Sequence, residues 1–465
     1  MTHRDLLART AELAADHLEA VGERSAGPVA THAELRAALG GQLPDVGEPE
    51  LEVVEALARG AAPGLTASPG PRYFGFVTGG ALPAALAADW LASAWDQNSF
   101  SAISSPAAAV VEEVAAGWLL DLLALPASAS VGFTTGAQMA NVVGLAAARH
   151  ALLSGEGWDV EERGLSGAPS LRVFAGEEAH VTVFRALRLL GIGRAAVEAV
   201  AVDGQGRMDA GALTAALKRG TGPAIVCAQA GNVNSGAFDP LVEIVAAARE
   251  HGAWVHVDGA FGLWAAASPS LASLCAGAAD ADSWATDGHK WLNVPYDCGV
   301  VAVRDPEHHR ATMAMTAAYL VAGGAGERSN SDFVPEASRR ARGFAVYAAL
   351  RSLGRSGVAE LVERNCSLAR RLAVAVSGVA GIEVLNDVVL NQVLLRFGAD
   401  DSSTDEVIAR VQDDGTCWVG GTRWQGVAAM RVSVSNWSTT EADIDRSVEA
   451  IVRAAAAAGA AAAAG

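Results

Sequence analysis

Hydrophobic positions along the chain follow two periods. The first 25 residues, MTHRDLLARTAELAADHLEAVGERS, set apolar residues at helical spacing among charged ones, which predicts an amphipathic helix. A Pro/Gly-rich passage from Ala58 to Gly80 reads as an irregular segment close to a functional site or a partner subunit. Helical spacing returns from about Leu82 to Leu125, enough for two helices, and Pro126 ends it. From Ser130 to about Val303 the period changes: the runs VGFTT, LRVFAG, AVEAVAV, AIVCAQAG, AWVHVDG and CGVVAVR alternate with helical stretches. That alternation predicts an α/β fold of βαβ units around a mostly parallel sheet, with ligands beyond the carboxyl ends of its strands. Further on, VLNQVLLRF and AAMRVSVSN alternate with helical stretches and predict a small α/β domain, while the terminal RAAAAAGAAAAAG is expected to fray. The expected division is a helical and irregular segment over 1–80, a large ligand-binding domain over 81–338 and a small C-terminal α/β domain over 339–465.

Composition narrows the partners. A formal charge of −18 without any Lys/Arg run argues against nucleic acid or an anionic membrane and leaves a small molecule. Five scattered cysteines, never spaced CxxC, suggest neither a disulfide framework nor a zinc site, so no metal is expected and a reducing cytoplasm fits. The N-terminal stretch lacks the continuous apolar core of a signal peptide, and no apolar run reaches the roughly 18 residues of a membrane span. The loop from Val321 to Ser338, with glycines at 323, 324 and 326 and a polar GERSNSD centre, has little to bury and is expected to act as a mobile lid.

Four polar features fall where the strand rule points. TTGAQMAN, Thr134 to Asn141, is a small-residue turn whose backbone N–H groups could hold a phosphate or simply join strand to helix. His180, after LRVFAG, is a cap, a core residue or a ligand contact. In WVHVDG alternation puts Trp254, His256 and Asp258 on one face, and Asp258 is either a helix cap or a buried carboxylate in need of a cationic or donor partner. Lys290, in DGHKWLNV, stands between His289 and Trp291, where a solvated surface lysine does not belong.

Together these residues supply what pyridoxal 5′-phosphate demands. The cofactor needs an amine in an apolar pocket, a carboxylate against its pyridine nitrogen, a flat group over its ring and an anion cradle. Lys290 is the expected Schiff-base lysine.

With HVDGAFG and DGHKW at this separation, the chain from about Tyr73 to Arg453 resembles the group II pyridoxal-phosphate-dependent amino acid decarboxylases, the aromatic amino acid, histidine and glutamate decarboxylase family. The resemblance implies fold type I, with a large domain around a mostly parallel seven-stranded sheet and a small C-terminal domain. It implies that Lys290 carries the cofactor, Asp258 pairs with its ring nitrogen, His180 stacks on the ring and Ala260 lies beneath it. His289 and the turn Gly136, Ala137, Gln138 match phosphate-binding positions, with Asn232 and Asn234 of GNVNSG nearby. Asn98 and Phe100 match positions given to the neighbouring subunit's substrate pocket, which implies a homodimer with shared sites. Four positions depart from the family pattern. Gln138 and Met139 replace the usual Ser/Thr and Glu. Asp287 stands where some members have Asn and is expected to cap the lysine turn. Phe333 takes the place of a lid tyrosine, a change that accompanies aldehyde formation in plant relatives.

The implied activity is α-decarboxylation of an L-amino acid to the amine and CO2. The rivals are an aldehyde synthase and an aminotransferase, the latter needing an arginine clamp for which Arg431 is the candidate. Intact Lys290, Asp258 and His180 argue against a cofactor-free relative. Tyr73, Phe74, Phe76, Phe100 and Trp424 are candidates for an aromatic substrate pocket, and Arg72 with Asn98 leaves an acidic substrate open.

Overall fold

The computed structural model describes residues 2–315 and 328–464. They divide into two compact units, one of residues 1–78, 368–385 and 393–465, the other of residues 79–367 and 386–392. The glycines of the expected lid at 323, 324 and 326 lie outside the described residues.

The first unit opens with three helices, α1 (His3–Ala20), α2 (His32–Leu39) and α3 (Glu50–Ala61). Thr2 with Asp5 and Thr31 with Glu34 start the first two as capping boxes, each satisfying two backbone donors. None of the three helices buries a residue.

The second unit begins with α4 (Pro83–Trp95) and α5 (Pro106–Leu122). Its sheet then forms from β1 (Ser130–Thr134), β2 (Arg172–Gly176), β3 (Val197–Val200), β4 (Ala224–Gln229), β5 (Trp254–Asp258), β6 (Ser283–Asp287) and β7 (Gly299–Val303). The connecting helices are α6 (Ala137–Gly155), α7 (Val160–Arg163), α8 (Val181–Leu189), α9 (Ala210–Lys218) and α10 (Leu241–Glu250), with α11 (Pro306–Met313) after β7. The seven strands lie in the order β1-β7-β6-β5-β4-β2-β3. The pairs from β3 through β2, β4 and β5 to β6 are parallel; β7 runs antiparallel to both β6 and β1. Strands β1, β4, β5, β6 and β7 are buried at every residue, as expected of a sheet covered on both faces. Helix α6 lies across β1, β5, β6 and β7, and its small residues, Ala140, Gly144, Ala147 and Ala148, let it approach closely. A Cβ on Gly144 would meet His256 Nδ1 of β5 at 2.8 Å, so only glycine admits that imidazole.

Helix α12 (Gly343–Val376) continues from one unit into the other and breaks at Gly354, whose φ is 63°. The first unit is completed by β8 (Ile382–Val384), β9 (Gln392–Phe397), α13 (Asp401–Asp414), β10 (Gly420–Trp424), β11 (Val427–Ser433) and α14 (Glu441–Ala464), with a four-stranded sheet ordered β10-β11-β9-β8. Two residues considered for the substrate pocket lie here. Trp424 is a core residue of this sheet, packed with Leu394, Ala429 and Leu385. Arg72 binds Asp443 at 2.8 Å and the carbonyls of Thr416 and Gly22, so its charge is spent inside the unit. Tyr73 and Phe76 gather on Trp418 at ring separations of 5.0 and 5.4 Å, and Phe74 is buried. Phe76 remains 64% exposed, since its apolar ring covers only the edge of that group.

Candidate active site

Lys290 sits on a turn just past β6 that the core grips from both sides. Trp291, Leu292 and Val294 are fully buried, and the N–H groups of Gly288 and His289 both bond Cys298 O, at 3.0 and 3.2 Å. Asn293 closes the turn in the left-handed region, φ 54°, its N–H and amide both reaching Lys290 O. Gly79 passes so close to that carbonyl that no side chain fits there. Anchoring Trp291 is worth roughly 2–3 kcal/mol of apolar burial. It leaves the Lys290 ammonium half-buried among polar groups.

Those groups belong to Asp287, His289 and the start of α6. Asp287 Oδ2 pairs with Lys290 Nζ at 2.9 Å, and its Oδ1 accepts the N–H of Ala137 at 2.5 Å. His289 Nε2 lies 3.4 Å from the same Oδ1, and its Nδ1 accepts Cys298 N–H at 3.1 Å. Burial holds the His289 pKa below its ordinary value, reinforced by the Lys290 charge and opposed by Asp287. Gly136 adopts an extended backbone before α6; a Cβ there would stand 3.2 Å from His289 Cε1 and 3.4 Å from Asp287 Oδ1. Gln138 occupies the first turn of α6, half-buried.

A second cluster lies one helical turn along α6. Asn141, four residues after Ala137 and so on the same face, donates its amide to Asp258 Oδ2 at 3.1 Å, while Asp258 Oδ1 accepts Ala260 N–H at 3.2 Å. Asp258 ends β5, with Gln229 of β4 and Ala285 of β6 as its neighbours in register. His180 is the N-cap of α8: its Nδ1 bonds Thr182 Oγ1 at 2.7 Å and receives Thr182 N–H at 3.4 Å. Its own N–H donates to Gln229 Oε1. Asn232 folds the loop after β4, accepting the N–H groups of Asn234 and Ser235 and donating to Glu178 O beside His180.

The remaining expected residues fall elsewhere in this unit. The 98–100 strip is sewn to the segment 331–340: Arg339 N–H reaches Asn98 Oδ1 at 3.0 Å, Ser99 N–H reaches Arg339 O at 3.0 Å and Ser331 N–H reaches Phe100 O at 3.0 Å. Under it Arg339 and Glu112 form a buried pair at 2.8 Å, with Ser99 and Phe133 carbonyls completing the guanidinium. Phe333 stands edge-on to His309 at 5.2 Å and beneath the Arg328 guanidinium. Its carbonyl accepts His309 Nε2–H and comes so near Gly132 that a Cβ there would clash. That is the stretch of β1 at Ser130 and Gly132, where Ser130 Oγ also bonds His309 Nδ1. Phe333, expected in a lid acid's place, packs its ring beside β1 in this chain.

Sequence reasoning missed Asn141, Thr182 and Gln229. Asn141 was visible as the i+4 partner of Ala137, but polar residues inside a helix give no cue until the strand acid they face is known. Among the described residues no group of three or more His, Cys, Asp or Glu side chains could hold a metal ion.

Residues 33–397 match the pyridoxal-dependent decarboxylase conserved domain. The chain is 27% identical over 412 residues to the aromatic-L-amino-acid decarboxylase of Bacillus atrophaeus, covering 87% of this chain and 84% of that one. It is 34% identical over 326 residues to the L-2,4-diaminobutyrate decarboxylase of Rhizobium meliloti, covering 68% and 63%. The crystal structure of Oryza sativa TDC with PLP and tryptamine superposes with a TM-score of 0.91 at 26% identity, over 98% of this chain and 97% of that one.

Proposed function

Because the chain belongs to the pyridoxal-dependent decarboxylase family, we propose that Lys290 is the residue that carries pyridoxal 5′-phosphate and that Asp258, His180 and the start of α6 hold the rest of it. The protein is a carboxy-lyase that uses this cofactor to decarboxylate an amino acid. The carrying observation is the convergence at the strand ends: an amine on a core-anchored turn, a carboxylate fixed by an amide, and N–H donors at a helix start. The donor set fits the group in each respect but one, since Asp287 brings a negative charge to the end where the phosphate would lie.

When bound, the cofactor supplies an electron sink for the pair of electrons left at Cα as CO2 departs. Asp258 would keep a proton on the ring nitrogen, and Asn141 and Ala260 hold both its oxygens so that it cannot rotate away. His180 would lie against the ring, its imidazole fixed by Thr182. Ala137 N–H and His289 would face the phosphate, and Asn232 keeps the loop after β4 against the His180 segment. The test is a Lys290→Ala variant. The purified wild type should keep a visible absorption band through gel filtration and release CO2 from an L-amino acid, and the variant should do neither. Scoring amine and aldehyde separately across the amino acids identifies substrate and product together.

The acting form is a homodimer with shared active sites. In the first unit α1 and α3 leave Leu7 and Leu57 about three-fifths exposed, and in the second α4 presents Trp90, Leu91 and Trp95 to solvent. Apolar surface of this kind supports burial against a second copy. The five cysteines are free and buried, which supports a reducing compartment, the cytoplasm. Sedimentation showing a fully active monomer would remove the shared-site reading.

A further inference from the structure

We propose that Asn141 is a positioning residue that sets the direction of a buried chain of hydrogen bonds running from Trp254 to His180, and so, together with the backbone N–H of Thr182, holds the single proton of neutral His180 on Nε2. The chain joins six side chains in one line. Trp254 Nε1 bonds Ser283 Oγ at 2.9 Å; Ser283 Oγ meets His256 Nδ1 at 2.8 Å; His256 Nε2 meets Asn141 Oδ1 at 2.9 Å. Asn141 Nδ2 then reaches both Asp258 Oδ2, at 3.1 Å, and Thr182 Oγ1, at 3.4 Å, and Thr182 Oγ1 meets His180 Nδ1 at 2.7 Å.

Each direction follows from a group that has no choice. The Asp258 carboxylate only accepts, so Asn141 must turn its NH2 toward it and its oxygen toward His256. That oxygen only accepts, so His256 carries its proton on Nε2 and its Nδ1 must accept from the Ser283 hydroxyl. The Trp254 indole only donates, which agrees: Ser283 accepts from it and passes its own hydrogen on. Reversing the line would aim the Asn141 oxygen at the Asp258 carboxylate across 3.1 Å.

At the other end Thr182 Oγ1 accepts the second hydrogen of the Asn141 amide and donates its own to His180 Nδ1. The backbone N–H of Thr182 points at the same nitrogen and can only donate, so Nδ1 is an acceptor on two counts. Burial lowers the His256 pKa to about 4, which keeps that link neutral at ordinary pH. The missing side chain of Gly144 makes the room His256 needs.

The consequence, which rests on the reading of Asp258 and His180 as cofactor contacts, is that one amide ties the orientation of the acid to the tautomer of the histidine. Neutral His180 then offers an N–H at Nε2 and no basic nitrogen there.

The test reads tautomers in cofactor-free protein by 15N NMR of labelled histidines, with His180 and His256 assigned by His180→Gln and His256→Gln. Wild type should show both with protonated Nε2 and unprotonated Nδ1. In Asn141→Ala the Nε2 signal of His180 should shift part of the way toward the average of the two tautomers, since the Thr182 N–H still donates to Nδ1 at 3.4 Å. Thr182→Val keeps the shape of residue 182 and stays informative if Asn141→Ala fails to fold; it should shift His180 in the same way and leave His256 unchanged. A wild-type His180 protonated on Nδ1, or a His180 unmoved in either folded variant, overturns the proposal. These spectra do not depend on the cofactor. If they come out as stated while Lys290→Ala keeps the wild-type absorption band, the functional reading alone falls.

Discussion

Asp287 and Lys290, three residues apart, form an ion pair of 2.9 Å whose carboxylate also takes the first N–H of α6, from Ala137. An acid therefore occupies the start of α6, beside the amine proposed to carry the cofactor. Asp287→Asn retains an oxygen for Ala137 N–H and removes the charge. The cofactor should bind the variant at least about tenfold more tightly, a gain of roughly 1.4 kcal/mol from lost like-charge repulsion. Equilibrium titration of apo-protein with pyridoxal phosphate measures it, and weaker binding would show that the carboxylate supports the cofactor.

The strip carrying Asn98 and Phe100 depends on a charge pair beneath it. Arg339→Met leaves Glu112 buried and unpaired, and unfolding free energy should fall by about 3–5 kcal/mol. Replacing Glu112 by Gln in the same chain should restore much of that loss. Chemical denaturation of the two single variants and the double variant gives the answer, and additive losses would contradict it.

Phe333→Tyr puts a hydroxyl into the pocket between His309 and Arg328. It should cost roughly 1–2 kcal/mol of stability and leave the ratio of amine to aldehyde product unchanged. A changed ratio in product analysis would place the residue in the reaction.

Acid should weaken the fold. Burial lowers the pKa of His256 to about 4 and of His309 to about 3, against 6.5 in an unfolded chain, so their contributions are complete above pH 6.5 and are lost as pH falls through those values. Asp239, raised to about 6 by burial although Met208 and Gln229 N–H groups oppose the shift, acts the other way, its contribution lost as pH rises through 6. The histidine shifts are larger in sum, so stability should fall by on the order of a few kcal/mol between pH 6.5 and 4. His309→Gln should flatten the slope of denaturation midpoint against pH.

What the sequence made legible was whatever repeats or alternates. The period of β5 put His256 and Asp258 on one face, and the structure turns that face to Asn141 of α6. Lys290 was legible because its neighbours are apolar and its turn has to be buried. The roles of the aromatics were not, since Trp424 and Phe333 carry the same hydrophobic signal whether they fill a core or line a pocket. Nor could spacing reveal that Arg72 is spent on Asp443, 371 residues away.

The place of β1 in the sheet constrains how the chain can be made. It is the first strand of its sheet in sequence yet, among the described residues, an edge strand whose sole neighbour is the last, β7, with Thr134 opposite Gly299. A growing polypeptide must therefore emerge from the ribosome past residue 299 before that pairing can close, and with it the junction of Ala137 to Asp287. Until then β1 is an apolar strand without a partner, the kind of intermediate that aggregates or recruits a chaperone. Truncated nascent chains ending before Gly299 should stay protease-sensitive at β1 however well β2 to β6 have folded, so the junction of α6 with Asp287 arrives late and all at once.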